Sequence, residues 1–342
     1  MKARQQVDSI IRPATQEDLT GVCEVINAYS LAIHSIPNDA KRNVELTWNQ
    51  PGFILENDTR VATESDGRII AYGEVEDTEA PHVRVGSWSR VHPEYWDCGL
   101  EAELLAWIEE RAAEAIAKAP VHARVTVSHG VADEDAALLA LFQQRGYETI
   151  RHFWKMVIDL DSDIPVAQWP EGITLRTLVL DEDLEAMVRA FRDSFRDHWG
   201  HIDMPFEEEL KQWDHWIRND PEFDETLTFL AMAGDEIVAL APCDPRDSED
   251  SAMGHVAVLG VTRAWRRQGI ALALLHHAFG EFKKRGQQRV SLGVDSASLT
   301  GAVRLYESAG MRMSRQISFF EKELRAGKDL SLQTLEDRDE AS

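Results

Sequence analysis

The sequence predicts an α/β protein, with a mixed sheet flanked by helices, built as two tandem copies of one domain. Its 342 residues leave room for about two domains, and 44% of them are hydrophobic, as in globular proteins with a packed core. Apolar strand-like runs alternate with amphipathic helical segments, a pattern typical of a sheet covered by helices. The same landmarks also recur in the two halves of the chain, in the same order.

The duplication is indicated by two glycines in each half. The segment WSRVHPEYWDCGL aligns with VLGVTRAWRRQGI, which places Gly99 opposite Gly269 at an offset of 170 residues. ALFQQRGYETI aligns with RLYESAGMRMS, which places Gly146 opposite Gly310 at an offset of 164 residues. Because one long period recurs rather than many short ones, the sequence indicates a duplicated domain.

The two halves also begin alike and are separated by a linker. IRPATQEDL at Ile11 resembles LRTLVLDEDL at Leu175, again 164 residues apart. The stretch 161–171 is polar and carries two prolines, as linkers do. We therefore predict three parts, namely a first domain at 1–163, a second domain at 172–326 and a polar C-terminal tail at 327–342.

Alternating apolar patterns and turn signals define the elements of the second copy. A Gly-Asp turn separates the first two predicted strands, and HVAVLGV reads as a strong strand. Strands are predicted at 227–233, 236–241, 255–261, 289–294 and 315–323. Helices are predicted at 270–285 and 300–308.

The charge balance and the cysteines restrict the partners and the compartment. Lys and Arg number 36 against 60 Asp and Glu, a formal net charge of −24. A surface of that sign repels phosphate polymers and anionic lipids at long range, so neither nucleic acid nor a membrane is an expected partner. The three cysteines are far apart, no apolar run is long enough to span a bilayer, and the N-terminus lacks an apolar signal region. We therefore expect a cytoplasmic protein.

The chemistry is concentrated in the hexapeptide RRQGIA, between a predicted strand and a predicted helix. Gly269 and Ala271 are small enough for a ligand to approach the backbone closely. The unpaired amides of a helix's first turn, together with the helix dipole, favour a pyrophosphate. Arg263, Arg266 and Arg267 add positive charge. An ordinary loop with a solvated basic edge is the alternative, because short glycine loops are common.

The order of elements around this loop resembles the GNAT superfamily of acyl-CoA-dependent N-acetyltransferases. In that family the signature Q/R-x-x-G-x-G/A holds the phosphates, and a strand and a helix with a Leu-Tyr pair before a glycine follow it. Here HVAVLGV, RRQGIA, VSLGVD and TGAVRLYESAG stand in the same order. The resemblance covers about 175–324 well and 11–160 more weakly. It implies transfer of an acetyl group from acetyl-CoA to a primary amine of a small molecule, by direct attack of the amine.

On individual residues, the resemblance implies a set that binds acetyl-CoA. Backbone groups of Leu259 and Val261 would contact the pantetheine arm. Ser298 stands near the place where many members have an Asn that contacts this arm, so this residue departs from the family's pattern. The pyrophosphate would be held by the turn and helix start, which comprise Arg266, Arg267, Gln268, Gly269, Ile270 and Ala271.

Tyr306 and His255 are the catalytic residues that the resemblance implies. Tyr306 matches the tyrosine that protonates the departing thiolate in the family. His255 stands where many members place a Glu near the start of the fourth strand, and an imidazole can take a proton from an ammonium, directly or through water. The alternatives are a packed tyrosine on a short helix and a half-buried strand histidine held by a hydrogen bond.

The first copy lacks these features. Trp96 and Glu101 stand where the second copy has Arg266 and Ala271, and Phe142 stands where it has a tyrosine. A carboxylate at Glu101 disfavours phosphate binding, and a phenyl ring has no proton to donate. We therefore expect the first domain to shape the cleft rather than to form a second active site.

The acceptor side is expected between the first two helices of the second copy. There Asp197, His198 and Trp199 offer an acid for a cationic amine and an aromatic wall. His276 and His277 have no companions at metal-ligand spacing, so no metal is expected. An acyl-CoA-binding sensor without turnover is the alternative function, and the retained tyrosine favours the enzyme.

Overall fold

The computed structural model describes residues 9–96, 98–161 and 163–333. These residues form two compact units, each made of two separate stretches of the chain. Unit 1 contains the described residues up to Arg151 together with Ile317–Leu330, and unit 2 contains His152–Gln316 together with 331–333. None of the described helices is long and apolar enough to cross a membrane.

Unit 1 has helices on both faces of a mixed sheet. Its first ten elements are β1 (Ile10–Arg12), α1 (Leu19–His34), α2 (Lys41–Asn49), α3 (Leu55–Asp58), β2 (Thr59–Thr63), β3 (Ile69–Glu76), β4 (Arg84–Val91), α4 (Leu100–Ala113), β5 (Val125–Ala132) and α5 (Ala136–Gln144). The strand order is β1-β2-β3-β4-β5, and β4 and β5 are parallel. Alternation along β3 directs Tyr72 towards α1 and α2, and Ala71 towards α4.

Unit 2 has the same kind of mixed sheet. The next strand, β6 (Glu148–Asp159), begins in unit 1 and continues into unit 2. The following elements are β7 (Ile173–Thr177), α6 (Leu180–Phe195), α7 (Phe206–Asn219), β8 (Thr228–Ala233), β9 (Glu236–Asp244), β10 (Met253–Val256), β11 (Gly260–Val261), α8 (Ile270–Lys284), β12 (Arg289–Asp295), α9 (Ala302–Ser308) and β13 (Arg312–Arg325). The order is β7-β8-β9-β10-β12-β6, with β10 and β12 parallel, while β11 pairs with β9.

The last strand of each half completes the sheet of the other half. β6 pairs antiparallel with β12, and β13 pairs antiparallel with β5. Backbone hydrogen bonds therefore assign 152–159 to unit 2 and 317–325 to unit 1. The predicted boundaries at 163 and 172 follow the sequence repeat, whereas the compact units follow this exchange of strands.

Both halves open with the same ion pair. Arg12 donates to both carboxylate oxygens of Asp18, at 2.6 and 2.7 Å, and Arg176 does the same to Asp183, at 2.5 and 2.7 Å. In each half the arginine hydrogen bond lowers the pKa of the carboxyl group, despite partial burial that raises it. The repeated geometry confirms the duplication that the sequence predicts.

The predicted elements of the second copy are confirmed to within three residues, except that the continuous strand at 255–261 is wrong. It is divided into β10 and β11. The carbonyl of Pro242 on β9 accepts hydrogen bonds from the backbone N–H groups of both Ala257 and Val258, at 3.1 and 3.2 Å. Two residues of one strand thus face one residue of its neighbour, which is a β-bulge. Proline has no N–H with which to continue the ladder, so the interruption falls at this residue.

Candidate active site

Unit 2 contains a cleft where its sheet opens. β10 pairs with β12 as far as Val256 and Leu292, and β11 beyond the bulge pairs with β9 instead. Residues 257–261 line one side of the cleft and residues 293–295 the other. The cleft has a volume of about 600 Å³, within the range of small-molecule sites.

Gly293 keeps one wall of the cleft open. A glycine within a strand provides no side chain to pack, and it often marks the close approach of a ligand. A Cβ atom placed on Gly293 would meet no atom within 4 Å, so the space beside the strand is free of protein. At the position 164 residues earlier, unit 1 has His129, whose buried ring packs against Phe142 with ring centroids 4.7 Å apart. The space that is open in unit 2 is therefore filled in unit 1.

The loop before α8 presents backbone amides without a side-chain cap. Gly269 precedes the helix with a φ of 88°, and no side chain caps the first turn in the described structure. Arg267 also has a positive φ, of 58°. A Cβ atom on Gly269 would meet no protein atom within 4 Å, so the space in front of these amides is open. The amides, the helix dipole and the open space fit the pyrophosphate of acetyl-CoA.

Arg266 holds this loop in place. Its guanidinium donates to both carboxylate oxygens of Asp197, to the carbonyl of Ser194 at 2.8 Å and, through Nε, to the carbonyl of Val261 at 3.2 Å. Burial raises the pKa of Asp197, but the Arg266 hydrogen bond and charge outweigh that effect and lower it. The side chain of Arg266 is therefore committed to contacts within the protein.

The other two loop arginines differ from each other. Arg263 donates through Nε and a terminal nitrogen to the same oxygen of Asp193, at 2.8 and 2.5 Å, and its charge is balanced there. Arg267 is exposed and forms no hydrogen bond or ion pair with any residue that the structure describes. Of the predicted cationic cluster, Arg267 is thus the side chain available to an anion.

Tyr306 lines the cleft from α9. Its ring packs into the core of unit 2 and is 7% exposed. Burial raises the pKa of Tyr306 to about 12, so the phenol stays protonated at neutral pH. Its hydroxyl forms no hydrogen bond with the described residues, which leaves a proton that can be directed to a ligand in the cleft.

His255 does not line the cleft and lies two residues before the part of its segment that does. It is on β10, one residue before the sheet opens, and Ala257 is the first residue of this segment to line the cleft. The side chain of His255 is 29% exposed. Its Nδ1 lies 2.8 Å from the hydroxyl of Ser291, and that hydroxyl donates to Asp247 at 2.7 Å.

The three predicted acceptor residues all line the cleft, with different surroundings. The carboxylate of Asp197 is bound by the loop arginine described above. His198 packs edge-on against Phe195 with ring centroids 4.5 Å apart, and burial lowers its pKa. The indole of Trp199 donates to the side chain of Gln333 at 2.9 Å. Asp197 is therefore a support for the loop, while His198 and Trp199 form part of the wall.

Several lining residues were missed by the sequence analysis. Phe191 and Phe195 are one helical turn apart on α6, so periodicity could have identified them. Phe153 comes from β6, and its place in unit 2 depends on the exchange of strands, for which the sequence carries no local signal. Ser291 and Asp247 do not line the cleft, and their contact with His255 was missed because it depends on the pairing of β10 with β12. No cluster of three or more His, Cys, Asp or Glu side chains within the described residues could hold a metal ion.

Comparisons with known proteins indicate the family. The model of the acetyltransferase (GNAT) family matches residues 184–311. A mycothiol acetyltransferase of Thermobispora bispora is 30% identical over 223 residues, which cover 64% of this chain and 70% of that protein. A GCN5-related N-acetyltransferase from Sphaerobacter thermophilus is 33% identical with a TM-score of 0.77, over 96% of this chain and 100% of that one. A tandem GNAT protein from the clavulanic acid biosynthesis pathway, 15% identical, shares the fold with a TM-score of 0.68 over 94% of this chain and 100% of that one.

The fold, the cleft and these relatives define an N-acetyltransferase, a class of enzyme that uses acetyl-CoA as the acyl donor. The chain belongs to the GCN5-related N-acetyltransferase (GNAT) family. Its two tandem domains, with the better-preserved motif in the second, are also similar in organisation to mycothiol synthase.

Proposed function

We propose that unit 2 transfers the acetyl group of acetyl-CoA to the primary amine of a small molecule. The observation that carries this proposal is the cleft, in which an uncapped helix start, a gap in the sheet and a buried tyrosine occur together. Acetyl-CoA has a pyrophosphate, an arm with amide groups and a terminal thioester. The parts of the cleft are suited to these parts of the molecule.

The residues of the cleft supply the binding contacts. The amides at Gly269 and the first turn of α8 bind the pyrophosphate, and Arg267 adds a positive charge near it. Backbone groups of Leu259 and Val261, two residues that line the cleft, bind the pantetheine arm as an added strand would. Ser298 lines the same cleft and presents its hydroxyl near the start of α9.

Tyr306 and His255 move the protons in this proposal. The amine attacks the thioester carbonyl, so that a C–N bond forms and the C–S bond breaks. His255 accepts the proton that the amine loses, and Tyr306 donates a proton to the departing thiolate. Support for Tyr306 comes from its place in the cleft and its protonated state, and support for His255 comes from its place at the edge of the opening.

The acceptor proposed is a small amine with an apolar part. Aromatic side chains from α6 and β6 line the cleft, and Asp295 is a lining carboxylate that favours a cation. A mycothiol acetyltransferase is among the relatives, so the amine precursor of mycothiol is the first acceptor to test. The three cysteines are free thiols, which supports a reducing, cytoplasmic location.

The test is a measurement of CoA release with the purified chain, acetyl-CoA and a panel of amines. We expect release that depends on one class of amine, with the acetylated amine detected by mass spectrometry. Gly269→Glu serves as the control that cannot bind the donor. Tight binding of acetyl-CoA with no release above hydrolysis, for any amine, would instead indicate a binding protein without turnover.

A further inference from the structure

A buried hydrogen-bond chain lies behind His255 and is not used by the reaction described above. The hydroxyl of Ser291, on β12, is fully buried and lies 2.8 Å from Nδ1 of His255. It donates its hydrogen to Oδ2 of Asp247 at 2.7 Å. Nδ1 of His255 and Oδ2 of Asp247 are 3.8 Å apart, so the hydroxyl is the contact between them.

Asp247 is held as an anion by a cation from β6. Lys155 donates to Asp247 at 2.9 Å and to Glu249 at 2.6 Å, and Arg315 donates to Glu249 at 2.5 Å. Burial raises the pKa of Asp247, but the Lys155 charge and the hydrogen bonds outweigh it and lower the pKa. The carboxylate can therefore only accept a hydrogen bond, so the Ser291 hydroxyl must be the donor between the two residues.

The direction of these hydrogen bonds determines which nitrogen of His255 carries the proton. Because the Ser291 hydroxyl gives its hydrogen to Asp247, the oxygen can offer only a lone pair to Nδ1. Nδ1 must then be the protonated nitrogen of the neutral ring, and Nε2 the one with the lone pair. A base that removes a proton from an amine needs such a lone pair.

We infer that Asp247 and Ser291 are positioning residues that hold His255 in the Nδ1–H tautomer, with Nε2 as the basic nitrogen. The inference rests on the proposed role of His255 as the base. Asp247 also favours the protonated ring electrostatically, so the same residues stabilise the imidazolium that forms when the proton is taken up.

Unit 1 contains a related pair without the acid. The Ser87 hydroxyl lies 3.0 Å from Nδ1 of His129 and donates to a backbone carbonyl at 2.8 Å. His129 is buried, its Nε2 has no hydrogen-bond partner in the described structure, and burial lowers its pKa to about 3. His129 thus has the serine contact without an acid and away from solvent, and Ser87→Ala is a matched control for Ser291→Ala.

Other charges surround His255 and enter any pH dependence. Asp244 on β9 is the strand neighbour of His255, and Asp247 and Glu249 lie in the loop that follows β9. Lys155 comes from β6 and Arg315 from β13. The variants below change Asp247 or the neutral serine and leave the other charges in place.

The experiment reads the tautomer directly, by ¹⁵N NMR of the histidine rings in the full chain. The His255 signals are identified by their absence from His255→Ala. We expect a protonated Nδ1 and an unprotonated Nε2 in the wild type. In Asp247→Asn the side-chain amide can donate to Ser291, whose hydroxyl can then donate to Nδ1 and reverse the tautomer.

The rates provide the second readout. We expect Asp247→Asn and Ser291→Ala to lower kcat by about tenfold or more with little change in the KM for acetyl-CoA, while Ser87→Ala changes neither. Thermal melts of all variants check that they fold. A protonated Nε2 in the wild type, or variants that keep both the tautomer and the rate, would overturn the inference. If the tautomers are as expected but His255→Ala keeps full activity, His255 is not the base. The hydrogen bonds from Asp247 through Ser291 to His255 would then have no catalytic role.

Discussion

Arg266 and Asp197 connect the loop before α8 to the turn after α6, across 69 residues of sequence. The carboxylate side chain is 9% exposed and the guanidinium 24%, so the pair is formed largely away from water. The loop that would bind a pyrophosphate is thus anchored through a side chain that the sequence suggested as a ligand contact. Its position depends on the end of α6.

We predict that Asp197→Asn destabilises unit 2 and weakens acetyl-CoA binding. The substitution leaves a partly buried guanidinium without its counter-charge, which should lower the free energy of unfolding by on the order of 2 kcal/mol. Urea unfolding and calorimetric titration with acetyl-CoA measure the two effects. Asp203→Asn is the control, because that side chain is 66% exposed and such pairs contribute little. Equal unfolding midpoints for the two variants would contradict the anchoring role.

The ion pair between Arg266 and Asp197 should also affect how the free energy of unfolding depends on pH in the acid range. The folded pKa of Asp197 is below its unfolded value of about 3.9, because Arg266 outweighs the effect of burial. A lowered carboxyl pKa contributes stability that is complete above the unfolded value and is lost as the pH falls through the folded one. We therefore expect the stability difference between wild type and Asp197→Asn to shrink below about pH 4. A difference that stays constant down to pH 2 would argue against the ion pair.

We predict one acetyl-CoA per chain, bound in unit 2. Gly269→Glu places a carboxylate in front of the helix amides and should abolish binding in calorimetry. Gly99→Glu is a closely matched control, since Gly99 also precedes a helix, with a φ of 95°, and a Cβ there also meets no atom within 4 Å. The two variants share the same backbone strain, so a difference in binding reports the site. Two equivalent sites per chain would contradict the loss of the site in unit 1.

We predict that Tyr306→Phe lowers kcat by about 10²-fold or more, the usual scale for a lost general acid. The ring and its packing are retained, so the melting temperature and acetyl-CoA affinity should change little. Tyr147→Phe in unit 1 removes a similarly buried hydroxyl that has no hydrogen-bond partner in the described structure, and its activity should equal that of the wild type. Full activity of Tyr306→Phe would assign protonation of the thiolate to water or to another group.

We predict that the pH dependence of kcat/KM identifies His255 as the base. The rate should rise with pH as the imidazole loses its proton, and this ionisation should be missing in His255→Ala. His198 is the competing histidine, because it lines the cleft and burial lowers its pKa. The ionisation should persist in His198→Ala. A pH–rate profile that is unchanged in His255→Ala but altered in His198→Ala would instead identify His198, in the turn after α6, as the base.

We predict that Gln333→Ala raises the KM for the acceptor several-fold with a smaller effect on kcat. The indole of Trp199 is held by Gln333, and the backbone of Gly200 donates to Leu332 at 2.7 Å, so these residues fix one wall of the cleft. Gln316→Ala is the matched control: Gln316 accepts a hydrogen bond from Trp154 at 2.7 Å, and Trp154 does not line the cleft. Steady-state kinetics with the best amine distinguishes the two variants. An equal KM in both would show that the contact does not support the acceptor site.

Local patterns account for the parts of the fold and site that the sequence predicts. The period of apolar residues marks the strands and helices, the long offset marks the duplication, and a glycine between a strand and a helix marks the loop at Gly269. The interruption at 257–259 had a signal, since Pro242 in the neighbouring strand cannot donate to a regular ladder. The segment HVAVLGV by itself does not show this interruption, because its β-branched residues continue through the bulge.

By itself the sequence determined the α/β class, the two copies and the loop that precedes α8, and its resemblance to a family singled out Tyr306 and His255 as candidates. Tertiary structure alone decided that β6 and β13 exchange sheets and that the loop arginine binds Asp197 instead of facing a ligand. It also decided that Ser291, 36 residues after His255, stands between the imidazole and a carboxylate. These contacts join side chains from separate strands and helices, and which of them meet depends on strand pairing and packing rather than on spacing along the chain.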